Sequence, residues 1–200
     1  MKLPQSFYLG SDVVSLSKQL LGKYLFTSID GLLTGGYITE TEAYNGVIDK
    51  ASHAFGNRRT ARTEIMYKEG GIAYIYLCYG IHEMLNVVVS AEGEPRAILI
   101  RAIEPTAGID IMLSRKNMDI LKPNITAGPG SVAKALGIDR KLNSVSLQST
   151  QLWIEDRGLT FTDDQIAALP RIGVAYAQED ALLPYRFYVK GNRYVSKPNK

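Results

Sequence analysis

The chain has 200 residues, 23 basic and 20 acidic side chains for a net charge of +3, and one cysteine. That length supports one domain with its own core, while the lone cysteine excludes an internal disulfide and the lack of a Cys/His cluster leaves no structural zinc site to propose. No apolar run is long enough to cross a bilayer and the opening MKLPQSFYLGSD lacks a secretion signal, so a soluble, cytoplasmic protein is expected.

In chain order, Ser11 or Asp12 can cap a helix carrying Val13, Leu16 and Leu20 at helical spacing and stopping at Gly22. KYLFTSI and LLTGGYITETEAY read as two strands joined by a tight Asp30-Gly31 turn, with a bulge or bend at Gly35-Gly36. In the second strand, a period of two puts Ile38, Glu40, Glu42 and Tyr44 on one face, opposite Thr39, Thr41 and Ala43. Same-face carboxylates about 7 Å apart can raise each other's pKa, and one kept ionised by an arginine could activate water. An edge strand with solvent-facing glutamates would read the same way.

The loop NGVIDKASHAFGNRRTART follows, with His53 among Arg58, Arg59 and Arg62, which could hold phosphates. IAYIYLCYGIHEMLNVVVS reads as a second hairpin broken near Tyr79-Gly80. Tyr67, Tyr74, Tyr76 and Tyr79 put a third of the tyrosines into thirteen residues. Sheet packing explains Tyr74, but Tyr79 at a hairpin tip would be exposed unless it inserts into something such as a DNA base step. RAILIRAIEP reads as a strand ended by Pro105, and AGIDIMLSRKNM as a helix. In TAGPGSVAKALGID, a Gly-Pro-Gly loop precedes a short helix stopped by Gly137, whose opening amides could bind a phosphate or be a plain cap. LWIED and YRFYVK are strand candidates, separated by TDDQIAAL, where Thr162 and Gln165 match a helix capping box. The mixture predicts a single α+β domain over 1–200 with largely antiparallel pairing and a basic tail at about 191–200; from Arg186 to Lys200 there are five basic residues and no acidic one.

Seven blocks in order, LLGKYL, ITETEAY, ASHAFGNRRTART, AYIYLCYGIHEMLNVV, AILIRAIEP, AGPGSVAKALGI and RIGVAY with YRFYVKG, resemble the alkyladenine (3-methyladenine) DNA glycosylase family in its bacterial form. The resemblance covers nearly the whole chain. It implies a mixed, largely antiparallel curved β-sheet with flanking helices and a protruding hairpin that inserts into DNA. It implies a monofunctional glycosylase of base excision repair that flips alkylated or deaminated purines out of duplex DNA, with no metal, no other cofactor and no lysine Schiff base.

By the same resemblance, Glu42 is the general base and Arg101 orients or supports it. Tyr44, His53 and Tyr76 line the base pocket, Asn86 crowds the exocyclic amino group of guanine, and Tyr79 is the wedge. Arg58, Arg59, Arg62, Gly130, Ser131 and Lys134 are candidate phosphate contacts. The partner implied is double-stranded DNA containing damaged purines, met by a nucleoid-associated monomer with no membrane and no obligate protein partner. Two departures stand out: Ser131 occupies a position where the family usually has lysine, which Lys134 one turn on could replace, and Ala61 stands where related chains often have proline. Two other classes compete. A nucleic-acid-binding module without chemistry would use the same aromatic tip and basic loop, and a carbohydrate hydrolase would use Glu40 and Glu42 as acid and base, although Trp153 is the only tryptophan for a sugar platform.

Overall fold

A computed structural model describes residues 1–196. Asp12 starts helix α1 (Val13–Gln19) by accepting the free amides of Val14 and Ser15 at 3.1 and 3.0 Å. Strands β1 (Tyr24–Ile29) and β2 (Leu32–Tyr44) follow as a hairpin, and the turn residues Asp30 and Gly31 sit at φ 53° and 77°, as a two-residue turn of this hand requires.

Strand β2 is the spine of the sheet. Along one edge it pairs with β5 (Arg96–Ala107); along the other it pairs first with β1 and then, from Glu40 to Glu42, with β8 (Arg186–Val189). The spatial order is β3 (Ala73–Cys78), β4 (His82–Val89), β5, β2, β1, β6 (Leu152–Glu155), with β7 (Ile166–Leu169) on the far edge of β8. Every strand pair among the described residues is antiparallel. Register shifts at Gly35/Gly36 and on both sides of Glu40 bend β2 and curl the sheet. At Gly36 the neighbouring backbone comes so close that a Cβ would lie 2.0 Å from the Glu104 carbonyl oxygen, so only glycine fits.

Alternation along the strands sorts the two faces. Val87, Val89, Ile98 and Ile100 join the main core with Leu16 and Leu20, and with Val132 and Leu136 of helix α3 (Pro129–Leu136), beside helix α2 (Ile109–Lys116). Val88 and Ala97 point the other way, into a second cluster with Tyr74, Met66 and Tyr67. Each fully buried aliphatic side chain contributes about 1.5–3 kcal/mol, so the helix-covered face supplies most of the stability and leaves the second face to carry chemistry.

Two expectations need correction. Strand β5 does not end at Pro105 but runs to Ala107; Pro105 lies opposite Gly36 at a register shift, where the ladder does not need its missing N–H. The Thr162/Gln165 capping box forms but caps a single 3₁₀ turn, Asp163–Gln165, after which Ile166–Leu169 pairs with β8 as a strand. A four-residue segment gains more from that ladder than from nucleating a helix. In the basic tail, Tyr194 and Ser196 are buried and Thr39 Oγ1 donates to the Tyr194 carbonyl at 2.6 Å. Residues 197–200, with Lys197 and Lys200, lie outside the described residues. Among the described residues no helix is long and apolar enough to cross a membrane.

Candidate active site

The irregular pairing of β2 with β5 builds the centre of the site. Ile38 lies opposite Ile103, Glu40 opposite Ala102 and Thr41 opposite Ile100, so Thr39 and Arg101 have no residue across from them. The extra residue reverses the alternation. Ile38 therefore joins Ala43 in the main core, against the simple period-two reading, while Glu40, Glu42 and Tyr44 face the other side. The unpaired Arg101 leans between the two carboxylates, with Nε 2.9 Å from Glu40 Oε1 and Nη1 3.2 Å from Glu42 Oε1. Burial works against its charge, but Glu42 and Glu40 offset this and hold the guanidinium above its ordinary pKa.

The two glutamates are not equivalent. Glu40 Oε1 takes Arg101 Nε, Arg186 Nε at 2.7 Å and Ser196 Oγ at 2.8 Å, and Oε2 takes the Ser196 amide at 2.6 Å. Glu42 Oε1 takes the Ile172 amide at 2.8 Å and the ion pair with Arg101, whereas among the described residues Oε2 takes only the Tyr44 hydroxyl at 2.9 Å. A carboxylate offers about four acceptor sites, so Glu42 keeps one open, on Oε2. Both glutamates have 0 % exposure, yet Glu42 lines a groove of about 420 Å³, within the range of small-molecule sites. Burial first, and then the Glu42 charge, push the Tyr44 hydroxyl well above its ordinary pKa, so it stays protonated and donates.

An aromatic slot continues from the groove into a chamber of about 40 Å³, room for about one water, that shares Tyr44, His53, Tyr76 and Tyr176 with it and is floored by Asn86. Asn86 Nδ2 donates to the Tyr74 carbonyl at 3.2 Å, which locks the amide. The His53 ring meets Tyr76 edge-on, centroids 4.8 Å apart, and its Nδ1 is 2.9 Å from the Tyr74 hydroxyl. Arg62 Nη2 lies 3.5 Å from Nε2; arginine can only donate, which assigns the lone pair to Nε2 and the proton to Nδ1. Burial, then Arg62 and Arg58, push the imidazole down to about 4, so it is neutral near pH 7. Arg62 also lies 4.6 Å over the Tyr76 ring, so its charge belongs to the slot wall as well as to the rim.

Above the groove stands the β3–β4 hairpin. Tyr79 and Gly80 take positive φ of 50° and 74°, and the Ile81 amide donates to the Cys78 carbonyl at 3.2 Å. Tyr79 is 86 % exposed and Ile81 73 %, and Tyr79 also borders the groove. A bulky exposed side chain in the left-handed region is costly twice over, a pattern that collects at functional sites.

On the rim, Arg58 and Arg59 are exposed, and Arg59 pairs with Glu64 at 3.1 Å while covering Tyr67. Gly130 opens α3 so close to the hairpin that a Cβ there would meet the His82 ring at 2.9 Å. At Ser131 the hydroxyl accepts from Lys116 Nζ at 3.0 Å, so helix α2 brings an amine to the first turn of α3. Burial, and then Lys134, hold the Lys116 pKa below its ordinary value. Lys134 is exposed on the same helix.

Sequence reasoning missed Arg171, Ile172, Tyr176, Ser196 and Lys116. Arg171 and Ile172 lie about 130 residues from the glutamate they support, and Ile172 acts through its backbone, which leaves no residue-type signal. Tyr176 stands at the lip of the slot, 65 % exposed, with its hydroxyl on the Ala51 carbonyl at 3.1 Å.

An aromatic slot that opens from a groove bearing an anchored carboxylate, beneath an exposed aromatic tip and beside a basic rim, suits an enzyme that acts on one flat ring carried by a polyanion. The model of one family, described as methylpurine-DNA glycosylase (MPG), matches residues 6–193. A protein of Bacillus cereus (strain G9842) named "Putative 3-methyladenine DNA glycosylase" is 46% identical over 98% of this chain and 100% of its own length. Proteins of the same name from Chlamydia felis (strain Fe/C-56) and Chlamydia pneumoniae are 48% and 46% identical, each over 92% of this chain and over 94% and 93% of their own lengths. The chain belongs to the methylpurine-DNA glycosylase family, whose members are hydrolases of the N-glycosyl bond in DNA.

Proposed function

We propose that this chain is a monomeric, monofunctional glycosylase that removes alkylated or deaminated purines, such as 3-methyladenine, 7-methylguanine, hypoxanthine and ethenoadenine, from duplex DNA in the nucleoid-bearing cytoplasm. The observation that carries the reading is Glu42: a buried carboxylate held by two hydrogen bonds and an ion pair, with one acceptor site left on Oε2 among the described residues and the groove beside it.

Tyr79 enters the duplex where the purine leaves the stack, and the extruded ring lies between Tyr44 on one side and His53 with Tyr76 on the other. A cationic 7-methylguanine or 3-methyladenine gains from these electron-rich faces, and the neutral His53 adds no opposing charge. The locked Asn86 amide leaves little room for the exocyclic amino group of guanine. Arg58, Arg59 and Lys134, with the amides of Gly130 and Ser131, meet backbone phosphates, and Arg62 serves both the rim and the slot.

Water bound at the open site of Glu42 Oε2 attacks C1′ as the bond to the purine nitrogen breaks. The bond pair leaves with the base, the water proton passes to Glu42, and the products are a free base and an abasic sugar. While the sugar carries positive charge, the carboxylate also stabilises it, and Arg101 keeps that carboxylate aimed. Release of hypoxanthine from a duplex oligonucleotide tests this: Glu42→Gln should lose about 10²–10⁴-fold in single-turnover rate with duplex binding retained. Equal release by both proteins removes Glu42 from the mechanism, and duplex binding without an abasic product from any damaged purine would leave a binding module.

A further inference from the structure

We infer that residues 191–196 form a strap that positions Arg101 for catalysis, with Ser196 as the fixing residue. The inference rests on the roles proposed for Glu42 and Arg101.

The strap lies over the β2–β5 ladder around Glu40 and takes hold of both residues left without partners there. Thr39 Oγ1 donates to the Tyr194 carbonyl at 2.6 Å, and Arg101 Nη2 donates to Ser196 Oγ at 3.0 Å. The approach of the strap is itself fixed, by Asn192 Nδ2 on Glu104 Oε2 at 2.7 Å and by the Tyr194 amide on Asn192 Oδ1 at 2.7 Å. At Ser196 every polar group is engaged. The hydroxyl accepts from Arg101 and donates to Glu40 Oε1 at 2.8 Å, the amide donates to Glu40 Oε2 at 2.6 Å, and the carbonyl accepts from Arg186 Nη2 at 3.0 Å.

The geometry of a guanidinium explains why one hydroxyl matters. Arg101 Nε is held by Glu40 at the near end of the guanidinium, which leaves the far edge, with Nη1 and Nη2, to be fixed by other partners. Nη1 meets Glu42 and Nη2 meets Ser196. Of these two, only Ser196 is independent of the group that Arg101 must orient. Without its hydroxyl, Arg101 and Glu42 could turn together and the open site on Oε2 would lose its fixed direction, a small misplacement of the kind that reduces rate more than binding.

The test uses the full chain with Ser196→Ala, Ser196→Thr and Glu42→Gln. Alanine keeps the backbone bonds to Glu40 and Arg186 and removes only the hydroxyl; threonine restores it. Single-turnover release of hypoxanthine, dissociation constants for the same duplex and urea midpoints are measured side by side. Ser196→Ala should release hypoxanthine about tenfold more slowly, with duplex affinity within about twofold and the protein folded under assay conditions, and Ser196→Thr should recover most of the rate. A wild-type rate in Ser196→Ala overturns the inference, as does a loss matched by weaker duplex binding or by unfolding, or threonine performing no better than alanine. A Glu42→Gln protein with full activity overturns instead the reading on which the inference rests.

Discussion

Replacing Asp49 with alanine should damage both stability and rate, because the ion pair it forms also supports the residue that holds Glu42. Arg171 reaches Asp49 with Nη1 at 2.5 Å and Nη2 at 2.8 Å, and both side chains are almost wholly out of solvent. The same guanidinium donates to the Ala43 carbonyl at 2.9 Å and the Asp180 carbonyl at 3.2 Å, while Asp49 also accepts the amides of Asn45 and Ala51 at 2.9 and 3.0 Å. Alanine strands a buried cation, the buried Ala51 amide and the half-buried Asn45 amide. Breaking one partner of a buried pair costs about 3–5 kcal/mol, against a total stability of about 5–15 kcal/mol for a domain. At about 2–4 °C per kcal/mol for a chain of this size, the melting point should fall by roughly 6–20 °C. Ile172, next to Arg171, donates to Glu42 at 2.8 Å, so release of hypoxanthine by the folded fraction should also drop severalfold. Thermal and urea unfolding followed by circular dichroism give the first number, and single-turnover release well below the midpoint gives the second. A fall of less than about 3 °C would refute the stabilising role of the pair, and full activity in the folded variant would refute its link to Glu42.

Tyr79→Gly separates function from stability by sign: the native φ of 50° is easy for glycine, so stability should be unchanged or rise by up to about 1 kcal/mol while excision from duplex DNA falls. Wild-type excision would show that the tip is not a wedge. His53 gives a pH signature. Its folded pKa of about 4 lies below the unfolded 6.5, so the unfolded chain binds the extra proton between these values. Stability is full above about pH 6.5 and falls by about 3 kcal/mol on the way down to pH 4. His53→Gln should flatten that part of the urea-stability profile, and parallel profiles for the two proteins would contradict the assignment.

Local chemistry in the chain was enough for much of the fold. Asp12 as a cap, Asp30-Gly31 as a turn, Gly137 as a helix stop and Tyr79-Gly80 as a hairpin tip each depend on one residue's own backbone or side-chain preference, and each appears where that preference puts it. The misreadings share another cause, because neighbours distant in sequence decide them. Thr162 and Gln165 do form their box, but β8 supplies a ladder that ends the helix after one turn. Pro105 cannot donate to a ladder, and the register shift beside its pairing with Gly36 makes that harmless. In the site, side chains with a chemical signature, such as Glu42, Tyr44, His53, Tyr76 and Arg101, converge on the groove. The contributors that local reasoning did not find act through a backbone amide, as Ile172 does, or come from the other end of the chain, as Ser196 does.

The bulge also accounts for a pair of glutamates on one face of a buried strand. Two carboxylates with no other charge between them would each disfavour the ionised form of the other, and neither would be a dependable acceptor. By leaving Arg101 without a partner across the ladder, the register shift places a guanidinium between them, and the asymmetry of the surroundings then divides the work. Glu40, met by Arg101, Arg186 and both the hydroxyl and amide of Ser196, is committed to holding the arginine. Glu42 has fewer partners, keeps an acceptor site on Oε2 among the described residues, and borders the groove. An ordinary antiparallel ladder would offer the same residue types without this division, because Arg101 would then follow the strict alternation of β5 and have a partner across the ladder. The irregular pairing is therefore as much a part of the candidate site as the carboxylate itself.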